Sequence, residues 1–166
     1  MEQLVIHGGA GSLEGETTEA QKMHDSLCKI WEETFEVLQK RSAEDAVRHA
    51  VRMLEDDPVY NAGTGSKLQA DGQIRMSAAL MDGTNNRFSG VINVQNIRNP
   101  IEAAALLSGE KHSILSSAQA TEFCRTKGIP EYNPETEFRL HEYKSNCAGI
   151  HGTVGAVALD KDGHIF

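Results

Sequence analysis

The N-terminal part of the chain shows a short apolar run and then two stretches in which apolar residues recur every three or four positions. The run from Gln3 to Ile6 predicts a strand. The periodic stretches at residues 18–40 and 42–56 predict two amphipathic helices. Ser42 occupies the N-cap position of the second helix. Asp57-Pro58 marks its end, because proline disfavours helical geometry in the residue before it.

Short apolar runs separated by turn residues predict strands in the middle of the chain. Residues 68–70 and 73–80 flank Asp71-Gly72, and a D-G pair between two such runs predicts a β-hairpin. Met81-Asp82-Gly83 closes the second of these strands, and residues 90–94 predict a third strand.

The residues that follow predict two more helices and a linker. Asn99-Pro100 predicts the start of a helix that runs through Leu107, because proline suits the first turn of a helix. Another helix is expected from about Ser113 to Lys127, ended by a glycine. The polar segment 129–148 contains prolines and charges of both signs, and it predicts a surface linker.

The last predicted strand starts at a Gly-Thr step. Residues 153–159 are small and apolar and predict a buried strand, closed by the turn-forming residues 160–163. Thr153 therefore lies where a rigid strand begins, and Gly152 leaves the preceding carbonyl open to attack because it has no Cβ. Cutting the Gly152–Thr153 bond would give Thr153 a free α-amine beside its hydroxyl, the nucleophile-and-base pair of N-terminal threonine catalysis. By itself, this stretch is explained more simply as an ordinary core strand.

A glycine-rich turn, His7 to Ser12, follows the first strand. A dinucleotide-binding fingerprint is excluded, because the third glycine is not at the required place. An α/β-hydrolase oxyanion loop also begins with H-G-G, but the chain contains no G-x-S-x-G nucleophile elbow. The segment is therefore either a tight turn or a stretch of backbone that approaches another group closely.

These elements together predict an α+β domain, in which one sheet or two stacked sheets carry helices on the outside. A length of 166 residues, with 39% hydrophobic and 24% charged residues, fits one domain with its own core. The formal net charge of −8 argues against nucleic acid or an anionic membrane as the main partner. The three cysteines form no C-x-x-C pair, and no signal peptide or membrane-length apolar run is found. A cytoplasmic protein with reduced thiols is therefore expected.

Five motifs follow one another along the chain: Ile6–Gly11, Tyr60–Ser66, Met81–Gly83, Val91–Pro100 and Gly152–Val157. Together they resemble the plant-type asparaginase/isoaspartyl peptidase family of N-terminal nucleophile hydrolases, and the resemblance runs along the whole chain. Members of that family are made as a precursor that cuts itself before a threonine, and they fold as an αββα sandwich. The resemblance implies that fold here, with residues 1–152 as the α-subunit portion and residues 153–166 as the start of the β-subunit portion. Both portions would belong to one domain of the complete protein.

The resemblance also implies roles for individual residues. Thr153 matches the nucleophile, the self-cleavage site is the Gly152–Thr153 bond, and Asn61 matches an asparagine that supports the nucleophile. The family's glycine-rich loop near the site is matched by His7, Gly8, Gly9 and Gly11. No organic cofactor is implied, but a structural sodium ion is, held by the backbone carbonyls of Leu54, Glu55, Asp57, Tyr60, Ala62 and Thr64.

Other groups that the family uses would lie beyond Phe166. They are a second threonine, an arginine and an aspartate that grip the substrate, and a Thr-Gly pair that supplies oxyanion donors. The resemblance therefore implies a C-terminally incomplete amidohydrolase that needs the C-terminal half, the β subunit, as its partner. The complete enzyme would be an (αβ)2 dimer acting on L-asparagine or β-aspartyl (isoaspartyl) dipeptides. This chain alone is expected to stay uncut and inactive.

Two other functions remain open at this point. The chain is also compatible with a non-catalytic interaction subunit. A glycosylasparaginase-like hydrolase is the other alternative, and it would be expected to carry a secretory signal and disulfides, neither of which the sequence indicates.

Overall fold

The computed structural model describes residues 1–10, 17–145 and 152–166. These residues form both helices and strands, which confirms the prediction of a mixed fold. Of the described helices, none combines the length and the apolar composition needed to cross a membrane. In chain order, the elements are β1 (Gln3–His7), α1 (Thr17–Lys40), α2 (Ala43–Asp56), β2 (Met76–Asp82), β3 (Arg87–Val94), α3 (Pro100–Leu107), β4 (Ile114–Ser116), α4 (Ser117–Thr126), α5 (Glu137–Lys144) and β5 (Gly155–Leu159).

The first and last strands pair with each other. β1 and β5 are antiparallel, in a register that sets Gln3 opposite Leu159 and His7 opposite Gly155. The last strand therefore lies beside the first. The prediction that residues 153–159 form a buried strand is wrong for one face, on which Val157 is 52% exposed beside the 66% exposed Val5 of β1. Only the other face of the pair is covered by helices.

Helices α1 and α2 cover that face, as their periodicity predicted. The N-cap Ser42 accepts a hydrogen bond from the N–H of Asp45 at 3.1 Å, which satisfies one of the free donors in the first turn of α2. The α2 face that packs inward is built mainly from small residues, which allows the helix to lie close to β5. One core cluster joins this face to Leu38 of α1, Ala158 of β5 and Ile101 of α3.

The second sheet contains β2, β3 and β4, and its hairpin differs from the predicted one. The hairpin turns between Asp82 and Arg87, and Asp82 fixes the turn by accepting hydrogen bonds from the N–H and the side chain of Asn85. Asp71-Gly72 does form a tight turn, in which the N–H of Gly72 donates to the carbonyl of Gln69 at 2.8 Å. No ladder extends from that turn, because β2 takes β3 as its partner.

Two further predictions are wrong at the level of elements. The helix expected from Ser113 begins only at Ser117, because Ile114–Ser116 form strand β4, parallel to β3. The segment 129–148, predicted as a linker, contains α5, whose N-cap Thr136 accepts from the N–H of Arg139 at 3.3 Å. The helices predicted at Pro100–Leu107 and at the two N-terminal stretches are confirmed.

The turn after β5 is held by one buried carboxylate. Asp160 is 4% exposed, and it accepts hydrogen bonds from the N–H groups of Asp162 and His164 within the turn and of Ala43 at the start of α2. Burial raises the pKa of Asp160, but these hydrogen bonds and the nearby His164 outweigh it and hold the pKa below its ordinary value. Beyond the turn, Phe166 pairs with Ala158 through two backbone hydrogen bonds of 3.0 Å, so the chain begins to form a hairpin with β5.

Replacing Asp160 by alanine is expected to lower the free energy of unfolding by about 3 kcal/mol at neutral pH, because three backbone donors lose a charged acceptor. Since the folded-state pKa is depressed, the wild-type contribution is present above pH 3.8 and is lost as the pH falls below it. Urea unfolding of the variant, with the exposed Asp162→Ala as control, measures the difference. A change within about 0.5 kcal/mol, the range of an ordinary surface substitution, would contradict this role of Asp160.

Candidate active site

The Gly-Thr step lies at an open cleft between the two sheets. A cavity of about 730 Å³ runs along residues 152–157 on one side and residues 76–81 on the other. Part of its wall comes from Asn61 and the residues that follow it. The edge of β2 and the edge of β5 therefore face the same space, and no described strand lies between them.

Thr153 is exposed and lies two residues before β5 begins. The register of the β1–β5 pair brings the end of β1 to the same place, so that Nδ1 of His7 lies 3.0 Å from the carbonyl oxygen of Thr153. Because a carbonyl oxygen can only accept, Nδ1 of His7 carries the proton in this hydrogen bond. That nitrogen is therefore not available as a base towards Thr153.

The two described glycines of the glycine-rich loop are both in close contact with other groups. Gly9 has a φ of +113°, and a Cβ there would lie 3.8 Å from the Cα of Gly152 and 3.7 Å from the carbonyl oxygen of Thr153. A Cβ on Gly8 would lie 2.9 Å from the ring of Tyr60. The backbone at Gly8 therefore packs closely against the ring of Tyr60. Gly11 lies outside the described residues.

Asn61 contacts the residue before the threonine. Its Nδ2 donates to the carbonyl oxygen of Gly152 at 3.2 Å, and its Oδ1 accepts from the N–H of Lys67 at 2.8 Å. The second bond fixes the orientation of the amide, because only the oxygen can accept. A donor on the Gly152 carbonyl polarises it and stabilises negative charge that would develop on the oxygen during attack.

Among the described residues, Asn61 and His7 are the only ones whose side chains hydrogen-bond to Gly152 or Thr153. Both act on carbonyl oxygens, and neither provides a carboxylate near the threonine. The arrangement therefore suits acyl transfer, in which charge develops on an oxygen, with the proton acceptor supplied by some other group.

The residues predicted to hold sodium lie in the last turn of α2 and in the tight loop that follows it. The carbonyl of Glu55 accepts from the N–H of Thr64 at 2.7 Å, and Gly63 packs so closely that a Cβ there would clash with that carbonyl oxygen. The carbonyl of Leu54 has no helical partner, because the residue four positions later is Pro58. Within the described ranges, no donor reaches the carbonyl oxygens of Leu54, Tyr60, Ala62 or Thr64. Free carbonyl oxygens are suitable ligands for a hard cation.

Glu55 is a buried carboxyl group close to this loop. Its Oε1 accepts from the N–H of Ile101 at the start of α3, while its Oε2 is buried with no partner among the described residues. Burial raises the pKa of Glu55 to about 8, and the Ile101 hydrogen bond only partly offsets the effect. Burial therefore favours the neutral form of the Glu55 carboxyl group.

The sequence did not predict the residues that connect the loop carrying Asn61 to helix α5. Lys67 and Arg139 both pair with Glu142, which belongs to the unpredicted helix α5. The signal for this helix was weak, because it is short, and its one buried residue is an arginine. Thr136 at an N-cap position was the one local indication.

Comparison with known proteins gives consistent matches. Residues 1–149 match the family model described as Asparaginase. The chain is 42% identical to an isoaspartyl peptidase/L-asparaginase of Synechocystis, over 98% of this chain and 55% of the relative. It is 41% identical to the protein of the same name from Nostoc, over 98% and 58% respectively. A plant-type L-asparaginase of Pyrococcus horikoshii is 37% identical over 87% of this chain and 47% of its own length. The chain spans about half the length of the curated relatives it matches.

Replacing Gly8 by alanine is expected to lower the free energy of unfolding by about 1–3 kcal/mol, because the new Cβ would press on the buried ring of Tyr60. Thermal unfolding of the variant measures the effect. Gly155→Ala is the matched control on the same strand pair, since a Cβ there meets nothing within 4 Å. Equal stability of the two variants would show that the close packing at Gly8 is not required.

Proposed function

Because the chain belongs to the family of plant-type asparaginases and isoaspartyl peptidases, we propose that it carries the self-cleavage site and the nucleophile of an amidohydrolase. The observation that supports this most directly is the hydrogen bond from Asn61 to the carbonyl of Gly152, immediately before Thr153. In this proposal, residues 1–152 become the α subunit, and Thr153 becomes the first residue of the β subunit.

The proposed self-cleavage is an acyl shift followed by hydrolysis. The hydroxyl oxygen of Thr153 attacks the carbonyl carbon of Gly152, and the amide of Asn61 donates to the oxygen as negative charge develops there. The C–N bond breaks, the proton of the hydroxyl passes to the departing nitrogen, and an ester remains. Water then hydrolyses the ester, which leaves a carboxylate on Gly152 and a free α-amine on Thr153.

The free amine is the base that the described site otherwise lacks. An α-amine has an ordinary pKa of ~7.7–8.0 and can accept a proton near neutral pH. The hydroxyl oxygen of Thr153 would attack the side-chain amide carbon of L-asparagine, or the β-linked carbonyl of an isoaspartyl dipeptide. Ammonia or the amine of the second residue leaves with the proton, and water releases aspartate from the ester. Both substrates pass through the same β-aspartyl ester, and both activities appear in the names of the relatives.

A structural sodium ion fits the loop that leads to Asn61. We propose that backbone oxygens of residues 54–64 hold it, because several of them have no hydrogen-bond donor within the described ranges. The ion would supply positive charge to a cluster of carbonyl dipoles and take no part in bond breaking. Its expected effect is to stiffen the loop on which Asn61 is mounted.

The cleft between β2 and β5 is the proposed place for the C-terminal half, as the second part of an αββα sandwich. Exposed apolar side chains lie on both sheets, including Val157 of β5 and Met81 and Phe88 of the hairpin. Phe166 already pairs with Ala158, and the edge of β5 beyond it is open. Unpaired strand edges of this kind recruit further strands. Without those strands we expect residues 1–166 to remain uncut, because the strands that would flank Thr153 on its far side belong to the C-terminal half.

The remaining parts of the proposal concern the cellular setting. The complete protein is proposed to form an (αβ)2 dimer in the cytoplasm, with no nucleic acid or membrane as partner. Cys28 and Cys124 are free thiols, which fits a reducing compartment, and Cys147 lies outside the described residues.

Replacing Thr153 by alanine is expected to abolish both self-cleavage and asparaginase activity in the protein expressed from its complete coding region. The substitution removes the attacking oxygen, while circular dichroism should be unchanged because Thr153 is exposed and precedes β5. Intact-mass spectrometry detects cleavage, and ammonia release from asparagine reports activity. Thr126→Ala, at an exposed helix end, is the control and should be processed normally. Processing of the Thr153 variant at Gly152 would rule out the assignment.

A further inference from the structure

Helix α5 makes polar contacts with the loop that carries Asn61. Lys67 contributes two contacts at once: its N–H donates to Oδ1 of Asn61, and its Nζ lies 2.9 Å from Oε1 of Glu142 on α5. The side chains of Lys67 and Glu142 are only 19% and 20% exposed. One residue therefore joins the amide that contacts Gly152 to a charged group on another element.

Arg139 provides the second contact between α5 and the loop. Its Nε donates to the carbonyl of Gly65 at 2.6 Å, and its guanidinium lies 2.9 Å from Oε2 of Glu142. Arg139 is 8% exposed. The two oxygens of Glu142 thus pair with two different cations, one on the loop and one on the helix. We call Lys67, Arg139 and Glu142 the charge bridge.

The charge bridge is built so that Glu142 stays ionised. Partial burial raises the pKa of Glu142, but Lys67 and Arg139 outweigh it and hold the pKa below its ordinary value. Breaking such a bridge by removing one partner leaves partly buried charges without a counter-charge. A carboxamide in place of the carboxylate keeps the size but cannot satisfy two cations, because one of its two ends is a donor.

Helix α5 also lies shortly before Gly152 in the sequence. Helix α5 ends at Lys144, and the bond proposed to be cut follows Gly152. The helix is docked on the loop whose Asn61 contacts Gly152, and it is also joined to Gly152 through the chain. Two ends of one covalent segment are therefore fixed against the same loop, one by the charge bridge and one by Asn61.

We propose that Lys67, Arg139 and Glu142 are positioning residues for self-cleavage. The charge bridge holds residues 61–67 in place, so that the Asn61 amide stays on the carbonyl of Gly152. This inference rests on the proposed function, because it concerns the residues that set the rate of the proposed cleavage. Hydrogen bonds weaken steeply with distance and angle. A displacement of the Asn61 amide by an ångström is therefore enough to slow the reaction substantially.

The test compares processing rates in the protein expressed from its complete coding region. Glu142→Gln and Lys67→Met should each slow cleavage at Gly152 by about tenfold or more. Lys67→Met removes only the ammonium group and keeps the N–H that Asn61 uses. The matched control is Glu102→Gln, which breaks an ion pair of similar exposure between Glu102 and Arg48, away from the loop. It should be processed at the wild-type rate.

A double substitution separates positioning from general destabilisation. If Glu142 acts through Asn61, Glu142→Gln should slow cleavage in the wild type but add little to Asn61→Ala. A merely structural role would slow both backgrounds by the same factor, and that result would overturn the proposal. Hydrogen exchange of the Lys67 N–H in an uncut Thr153→Ala background is the second measurement. Glu142→Gln should speed that exchange, and unchanged exchange would also overturn the proposal.

A wild-type protein that is never cut at Gly152 overturns the proposed function, and this inference with it. A wild-type protein that is cut, with Glu142→Gln and Lys67→Met cut at the same rate, overturns this inference alone.

Discussion

The proposed self-cleavage site depends on one hydrogen bond between residues that are far apart in the sequence. Asn61 donates to the carbonyl of Gly152, 91 positions away along the chain, at 3.2 Å. This contact places an amide donor where an oxyanion would form, next to an exposed threonine. Without it, the Gly-Thr step would be the start of an ordinary strand, which is how its local sequence is most simply explained.

Other contacts of the described fold hold Asn61 and Gly152 in position relative to each other. Pairing of β1 with β5 fixes Thr153 opposite the end of β1, and Asp160 ties the far end of β5 to the start of α2. The close contact of Gly8 with Tyr60 fixes the loop after β1 against the residue before Asn61. The charge bridge holds the same stretch from the other side. Each of these supports lies on a different element, which explains why the site has no compact motif.

Some of this was predictable from sequence, and the physical reason differs by element. Helices α1 and α2 were predicted because their apolar period is sustained over many residues, and β1 because its run ends at glycines. The Asp71-Gly72 pair indicates a turn, but it does not determine which strands pair with each other. The hairpin was therefore predicted at the wrong place. Helix α5 was missed because its one buried residue is Arg139, which donates to the carbonyl of Gly65 on the loop and pairs with Glu142 on its own helix. Burial of a charged side chain is a tertiary property that no local pattern reveals. Asn61 itself was singled out only through the family resemblance.

The most direct test of the account is the ¹³C chemical shift of the Gly152 carbonyl in the 166-residue chain. Measured by NMR in the Thr153→Ala variant, which cannot cut itself, the signal is compared with and without a second substitution, Asn61→Ala. The account predicts an upfield shift of the Gly152 carbonyl when the Asn61 donor is removed, while the carbonyl signals of α4, away from the cleft, stay in place. An unchanged Gly152 signal would show that the hydrogen bond on which the site depends is not formed in solution.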